Sequence, residues 1–469
     1  LSHAATDVLW PTATSEDTLL ILGFTASMLG MVHVSMAGGG FVDLARRIAG
    51  PGGADPEAPA RRTRLSAWLL GLAIFFDDYA NSIVVGSSIR PLADRTGVSR
   101  AKLAYIVDAT SASVAGVAIV STWVGMEVGL LQDRIGFFEG IASAGYGVFL
   151  ELIPYRFYCL LTVFFAFLIA VSGRDFGPMR ASEQRALSQV RQAPRLTWRR
   201  GHWLDAMGPV LVVLVSVLAM DTALGWHAAD TLLQRFIAGA DASGLKVLAI
   251  AGGLGAVTAI LISVFRRLLS PTDAVAAFGH GIAVTMPVLV ILVCAMSIRA
   301  VCDQAGTPAY LSAMLGNANG MWLPVAAFGV SAIVAFMTGS SWATMGILLP
   351  IVVPLAARDG GPDGIWLLAA SAAVLDGSIF GDHCSPISDT TVMSSAASGC
   401  PHDEHVLTQL PYAVVVMLCA AVFGYIGACW LHLSPWVALV PAALVLTTVV
   451  WLVGRRRVDP VSQKETVSR

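Results

Sequence analysis

Residues 376–391 read D-G-S-I-F-G-D-H-C-S-P-I-S-D-T-T. Asp376, Asp382, His383 and Asp389 fall here, directly after the apolar run Ile365 to Leu375 and inside a chain that is otherwise lipid-like. An ionisable group near the centre of a bilayer costs roughly 2.5–3.5 kcal/mol on insertion scales. A chain keeps such a group where it binds something, so the stretch reads as the interruption of a membrane helix in a carrier of ions or solutes.

Composition points the same way. Hydrophobic residues make up 56% of the 469 positions and charged residues 13%, with a mean hydropathy of +0.72. A soluble domain carries about 25% charged residues. Apolar runs long enough to span, about 20 residues, recur at 18–37, 155–172, 207–224, 245–264, 285–301, 411–430 and 435–453. The formal charge of -2 argues against nucleic-acid binding. The seven cysteines show no C-x-x-C spacing, so neither a disulfide framework nor a zinc site is expected. Residues 1–17 hold acids and no Lys or Arg, unlike a cleavable signal peptide. These features predict an all-α polytopic membrane protein that contacts lipid and needs no cofactor.

Loop charge sets the orientation, because Lys and Arg are retained on the cytoplasmic side. Basic residues crowd 46–64, 90–102, 174–200 and 455–457, whereas 225–244 holds only Arg235 and 302–320 holds neither Lys nor Arg. The stretch 65–94 has basic loops at both ends, so it is expected to enter and leave on the cytoplasmic side as a re-entrant hairpin. Its tip is F-F-D-D-Y-A-N-S (75–82). The stretch 321–357 is poor in charge at both ends and reads as a hairpin from outside, tipped by T-G-S-S-W-A-T (338–344).

An internal repeat adds to this. D-D-Y-A-N-S-I-V-V-G-S-S-I-R-P-L-A-D-R (77–95) aligns without a gap on S-S-W-A-T-M-G-I-L-L-P-I-V-V-P-L-A-A-R (340–358). Each copy is followed by a span interrupted midway by small polar residues, at 111–122 and at 376–387, and Pro154-Tyr155 and Pro411-Tyr412 open the spans that come next. An odd number of crossings separates the copies, so the halves are inverted. Residues 18–172 form the first repeat (hairpin 65–94, broken helix 102–132). Residues 173–264 form a basic cytoplasmic loop and two connecting spans. Residues 265–430 form the second repeat (hairpin 321–357, broken helix 365–395), and 431–469 the last span and a cytoplasmic tail. Inverted repeats with broken helices place the substrate at the midplane, where unwound carbonyls and half-helix ends coordinate ions.

The candidate ligands follow from this layout. Asp77 and Asp78 sit at the first tip beside Asn81 and Ser82. Oxygen-only ligands suit a hard cation such as Na+, and two adjacent carboxylates repel, leaving one able to carry a proton. The richest cluster is Asp382, His383, Ser385, Ser388, Asp389 and Thr390, where Pro386 cannot continue the helix and frees carbonyls. Asp376 could face the same cavity. Ser340, Ser341 and Thr344 of the second tip complete the shell, with Asp108, Ser111, Ser113, Ser121 and Thr122 as secondary candidates. His383 is either a structural donor or a proton-linked group, since histidine titrates near neutral pH. Cys384 reads as a packing residue, because no base and orienting group accompany it as a nucleophile would need. Arg299 and Asp303 read as a structural i,i+4 pair and His280 as interfacial. Arg90 is the only basic candidate near a hairpin.

G-D-H-C-S-P-I-S-D-T-T with T-Q-L-P-Y downstream, F-F-D-D-Y-A-N-S with R-P-L-A-D-R, and G-R-D-F-G-P-M (173–179) resemble the NhaC family of Na+/H+ antiporters, over about residues 20–430. His383-Cys384 departs from the Lys-Met pair that better-known members carry. The resemblance implies a secondary antiporter with paired hairpins in a mobile transport domain, a scaffold domain and often a homodimer, in the bacterial cytoplasmic membrane. On this reading Asp77, Asp78, Asp382 and Asp389 alternately host Na+ and H+. The competing reading is a Na+- or H+-coupled carrier of a small organic acid or amino acid, which a buried Arg or Lys facing the cavity would favour. An intramembrane enzyme would need a nucleophile with an oriented base, and none is evident.

Overall fold

The computed structural model describes residues 10–49, 58–132, 134–138, 145–189, 201–226, 232–284, four positions between 286 and 297, 320–358 and 364–456. Arg299 and Asp303 lie outside the described residues. In chain order the helices are α1 (Glu16–Gly38), α2 (Gly40–Ala49), α3 (Ala58–Ala73), α4 (Asp78–Thr96), α5 (Arg100–Ala115), α6 (Thr122–Gln132), α7 (Gly145–Leu152), α8 (Phe157–Ser172) and α9 (Gly177–Gln189). They continue with α10 (Trp203–Leu224), α11 (Leu232–Phe265), α12 (Pro271–Val284), α13 (Leu323–Thr338), α14 (Ser341–Ala357), α15 (Ile365–Cys384), α16 (Asp389–Ser398), α17 (His402–Cys419), α18 (Gly427–Trp430) and α19 (Pro435–Leu452). Among the described residues, seven helices are long and apolar enough to cross a membrane. The segments Gly145–Tyr155 and Phe157–Ser172, bent by 51°, make an eighth if taken as one span. The molecule is therefore a multi-pass membrane protein.

Where the sequence places the two hairpin tips and the two broken spans, the helices stop and restart. α3 and α4 run antiparallel, tied near their outer ends by Thr63 Oγ1 and Thr96 Oγ1 at 3.1 Å and near the tip by Asn81, whose amide donates to Gly71 O and Ile74 O. α13 and α14 are separated by Gly339 and Ser340 alone. Gly339 holds φ 66°, a left-handed conformation that favours glycine. The breaks are narrower than their polar sequences suggest. The first spans 116–121. The second is confined to 385–388, so Asp376, Asp382 and His383 remain helical. Gly377 and Gly381 stay within α15 because α13 lies too close for a side chain: a Cβ at Gly381 would meet Ala332 O at 2.2 Å. Small residues four apart permit such approach between membrane helices. Pro411 lies well inside α17 and does not open a span, whereas Pro154 does precede α8.

α1, α10, α11 and α12 pack on one another. Elsewhere the two halves interleave, with α16 of the second lying against α4 and α5 of the first. After α17 the backbone widens to a π-helix at Ala420–Ile426. A two-residue ladder pairs β1 (Arg174–Asp175) with β2 (Arg455–Arg456), fastening the segment after α8 to the one after α19.

Candidate functional site

Four helices begin at the centre of this arrangement, and each is capped by its own sequence. Asp77 caps α4 by accepting from Ala80 N at 2.7 Å. Ser121 caps α6 through Val124 N at 3.1 Å while donating to Ala115 O, the last carbonyl of the preceding half-helix. Ser340 caps α14 through Ala343 N at 3.3 Å, and Ser388 caps α16 through Thr391 N at 3.2 Å. Asp77 and Ser340, the opening positions of the two aligned strings, thus each cap a helix. Helix N-termini favour negative charge. Asp78 and Asp389, each the first residue of its helix, are placed accordingly.

The tips and breaks of both halves meet. Thr122 N donates to Phe76 O at 2.9 Å and its hydroxyl to Asp77 Oδ2 at 2.9 Å, locking the first tip to the first break. Ser341 of the second tip lies 3.5 Å from Asp382 Oδ2, which also accepts from Thr390 at 3.0 Å. Between the halves, Tyr79 donates to Asp389. Asp108 accepts from Thr391 at 3.0 Å, Ser394 at 3.2 Å and Gln409 at 2.6 Å. The Trp123 and Trp342 rings meet edge to face at 5.9 Å.

This region is buried and acidic. Asp77, Asp78, Asp108 and Asp382 are buried, and Asp389 is partly buried. Asp78 senses Asp77 and Asp389, and Asp382 senses Asp389 and Asp108. Both oxygens of Asp78, Oδ1 of Asn81 and Oδ1 of Asp382 lack a well-formed hydrogen bond among the described residues. Asp78 and Asn81 share one face of α4. An orphaned buried carboxylate oxygen costs the full desolvation of a charged group, more than about 3 kcal/mol. Either a proton or a cation removes that cost. Among the described residues no three His, Cys, Asp or Glu side chains form a metal cluster, so a cation held here draws on hydroxyl, amide and carbonyl oxygens as well.

The other sequence candidates divide. Ser385 donates to Phe336 O at 2.8 Å and Thr344 to Ser340 O at 2.9 Å, both holding the second tip together. Ser111 bonds back to Asp108 O at 2.8 Å, and the Ser113 hydroxyl has no partner among the described residues. His383 is buried, its Nδ1 3.1 Å from the Tyr158 hydroxyl, and its freed carbonyl accepts from Gln409 at 2.7 Å.

Asp376 is not part of this cluster. It accepts from Arg156 Nε at 3.0 Å, Tyr158 N at 2.6 Å and Tyr425 OH at 2.9 Å. Arg156 also reaches both oxygens of Glu127 at 3.1 Å, and all three charged side chains are buried. Arg156 therefore replaces Arg90 as the buried basic residue that matters. A lone arginine following Pro154-Tyr155 at the head of an apolar span was the sequence sign of it. Gln409, inside T-Q-L-P-Y, and Tyr79, inside D-D-Y-A-N-S, are two further residues of the site that sequence reasoning passed over.

Comparison with known proteins bears on the family and the fold. The profile of the Na+/H+ antiporter family matches residues 114–428. An uncharacterised protein of Haemophilus influenzae is 32% identical over 444 residues, 93% of this chain and 82% of that protein. The Na+/H+ antiporter NhaC of Alkalihalophilus pseudofirmus is 30% identical over 172 residues, 35% of this chain and 36% of its own. The crystal structure of the Alcanivorax borkumensis YdaH transporter shares the fold, with a TM-score of 0.57 over 91% of this chain and 88% of that one at 16% identity. The family match spans both breaks and takes in Asp382 and Asp389, whereas Asp77, Asp78 and Asp108 precede it: this chain belongs to the Na+/H+ antiporter family.

Proposed function

We propose that the chain is a secondary active transporter exchanging Na+, or the similarly hard Li+, for H+ across the bacterial cytoplasmic membrane by alternating access. The observation that carries this reading is the set of orphaned oxygens on Asp78 and Asp382, one from each half, in a buried group of carboxylates. No Lys or Arg makes a described ion pair with any of the five. Neighbouring like charges do not all ionise readily in a buried site, so the group needs protons or a cation to balance it. One carboxylate cannot hold both, and that competition couples the two fluxes. Asp382 and Asp78 supply charge, Asn81 Oδ1 and Ser341 neutral oxygen, and Tyr79 orients Asp389.

A carrier of organic acids would need a basic group left for its substrate. Arg156 and Lys102 each face two carboxylates. The deciding experiment is proton flux in everted vesicles on addition of Na+, Li+, K+ or candidate organic acids. Alkalinisation by Na+ or Li+ alone is expected, and a response confined to organic acids would overturn the reading.

A further inference from the structure

A line of polar side chains leads away from the carboxylate cluster to the protein surface, and the exchange described above does not use it. His402, at the start of α17, is partly exposed. Its Nε2 lies 2.7 Å from Pro386 O and its Nδ1 3.1 Å from Ser395 Oγ. The same Ser395 Oγ lies 2.8 Å from Nδ1 of His405, which is fully buried, and 2.7 Å from Thr391 O. His405 Nε2 lies 3.0 Å from Gln409 Oε1, and Gln409 Nε2 donates to Asp108.

The partners fix the protons. A carbonyl only accepts, so His402 carries hydrogen on Nε2. An amide oxygen only accepts, so His405 does too. Both rings then present the Nδ1 lone pair to one serine hydroxyl, which also faces Thr391 O. Three acceptors surround a single hydrogen. The cluster is one proton short of a satisfied network, and an unsatisfied buried network is costly. Adding a proton at His402 Nδ1 corrects this: that N–H donates to Ser395 Oγ, and the Ser395 hydrogen turns to His405. If the Nδ1 proton moves to Oγ as the hydroxyl proton moves to His405 Nδ1, one proton arrives and one is passed inward, and the serine is unchanged.

The outer end of this line is cytoplasmic by its neighbours. Arg100 donates to Gly399 O at 3.2 Å, and Arg185 of the basic segment pairs with Glu404 at 2.6 Å. Both arginines belong to stretches whose charge retains them inside. The charged or titratable groups around the trio include Asp108 on α5, His383 on α15, Cys400 just before α17, Asp403 and Glu404 on α17, and Arg100 and Arg185.

We propose that His402, Ser395 and His405 are the route by which protons pass between the cytoplasm and the buried carboxylates, and that Gln409 is the switch at its inner end. The inference rests on the antiport reading. An amide cannot take a proton on Oε1 and release one from Nε2 without becoming an imidic acid, so the last transfer, from His405 to Asp108, waits until Gln409 turns aside. Histidine suits the role because its two ring nitrogens can take a proton on one side and give one up on the other.

The test uses the purified protein in liposomes, with two readouts: Na+-driven proton flux, and exchange of radioactive Na+ for unlabelled Na+, which moves no net proton. In His405→Gln and Ser395→Ala, proton flux at about pH 8 should fall at least about tenfold, recover on acidification, and leave Na+/Na+ exchange near the wild-type rate. His402→Gln, at the partly exposed end, should show the same pattern more weakly. If both readouts fall together, the residues hold the fold and the route is wrong. If neither changes, protons enter elsewhere and it is also wrong. Wild-type protein that moves Na+ without moving protons would instead remove the antiport reading, and the route with it.

Discussion

The hydroxyl of Tyr79, one residue past the first tip's acidic pair, donates to Asp389 at the start of α16, joining positions 310 residues apart. This bond places a group from each half on the same charge. When Asp389 or its neighbours exchange a proton for a cation, α4 and α16 feel the change together. Tyr79→Phe keeps the ring and removes the donor. A hydrogen bond to a charged group contributes about 1.5–3 kcal/mol, so apparent Na+ affinity should weaken roughly tenfold or more with maximal rate less affected. Proton flux against Na+ concentration checks this.

Asp382 is buried, with one oxygen bonded and the other orphaned. Asp382→Asn keeps its shape but cannot trade a proton for a cation. Exchange should be abolished while the protein still folds and reaches the membrane. Robust Na+-driven proton flux in this variant would take Asp382 out of the site.

The adjacent pair at the first tip should separate by function. Asp77 is committed to Ala80 N and Thr122, and asparagine is also a good N-cap. Asp78 has neither oxygen well bonded. Asp78→Asn should be inactive, whereas Asp77→Asn should keep activity and mainly shift the pH profile. Wild-type behaviour in both variants, compared across about pH 6–9, would contradict the assignment.

Arg156 balances Glu127 and Asp376 in the interior. Removing one partner of a buried ion pair costs about 3–5 kcal/mol. Arg156→Met should lower thermal stability in detergent accordingly. Arg156→Met with Glu127→Gln and Asp376→Asn together should recover much of the loss, since no unpaired charge remains.

A second buried trio lies at the cytoplasmic end, where Lys102 Nζ meets Asp175 at 2.5 Å and Glu183 at 2.9 Å. Burial pushes the Asp175 carboxyl up from its ordinary value, against the pull of Lys102, with Glu183 pushing the same way. A carboxyl raised in the folded state binds more protons folded than unfolded, so its contribution to stability declines as pH rises. Lys102→Met removes the opposing pull. That variant should melt at a lower temperature than wild type near neutral pH, and the deficit should shrink on acidification.

The sequence made the tips and breaks readable because polar residues are so costly in lipid that few positions carry them. Asp77, Asp78, Asp382 and Asp389 stood out for that reason. What it hid was which neighbour each would meet. Asp376 sits in the same motif as Asp382, yet its acceptors are filled by Arg156, Tyr158 and Tyr425 from distant spans. The extent of the second break was hidden for a related reason. Gly377 and Gly381 read as interruptions, but their small size serves contact with α13. Pro411 read as a helix start, and α17 carries it in mid-course.

The shortness of the first hairpin bears on how the protein is made. α3 has 16 residues, about 24 Å of helix, short of the roughly 30 Å hydrocarbon layer. Its tip carries Asp77 and Asp78, and the hydroxyl that satisfies Asp77 belongs to Thr122, which leaves the ribosome later. A nascent chain ending before residue 122 thus holds this hairpin without the partner that locks its tip. Until Thr122 is made, Asp77 lacks that hydroxyl, and Asp389, to which Tyr79 of the same tip donates, is made later still.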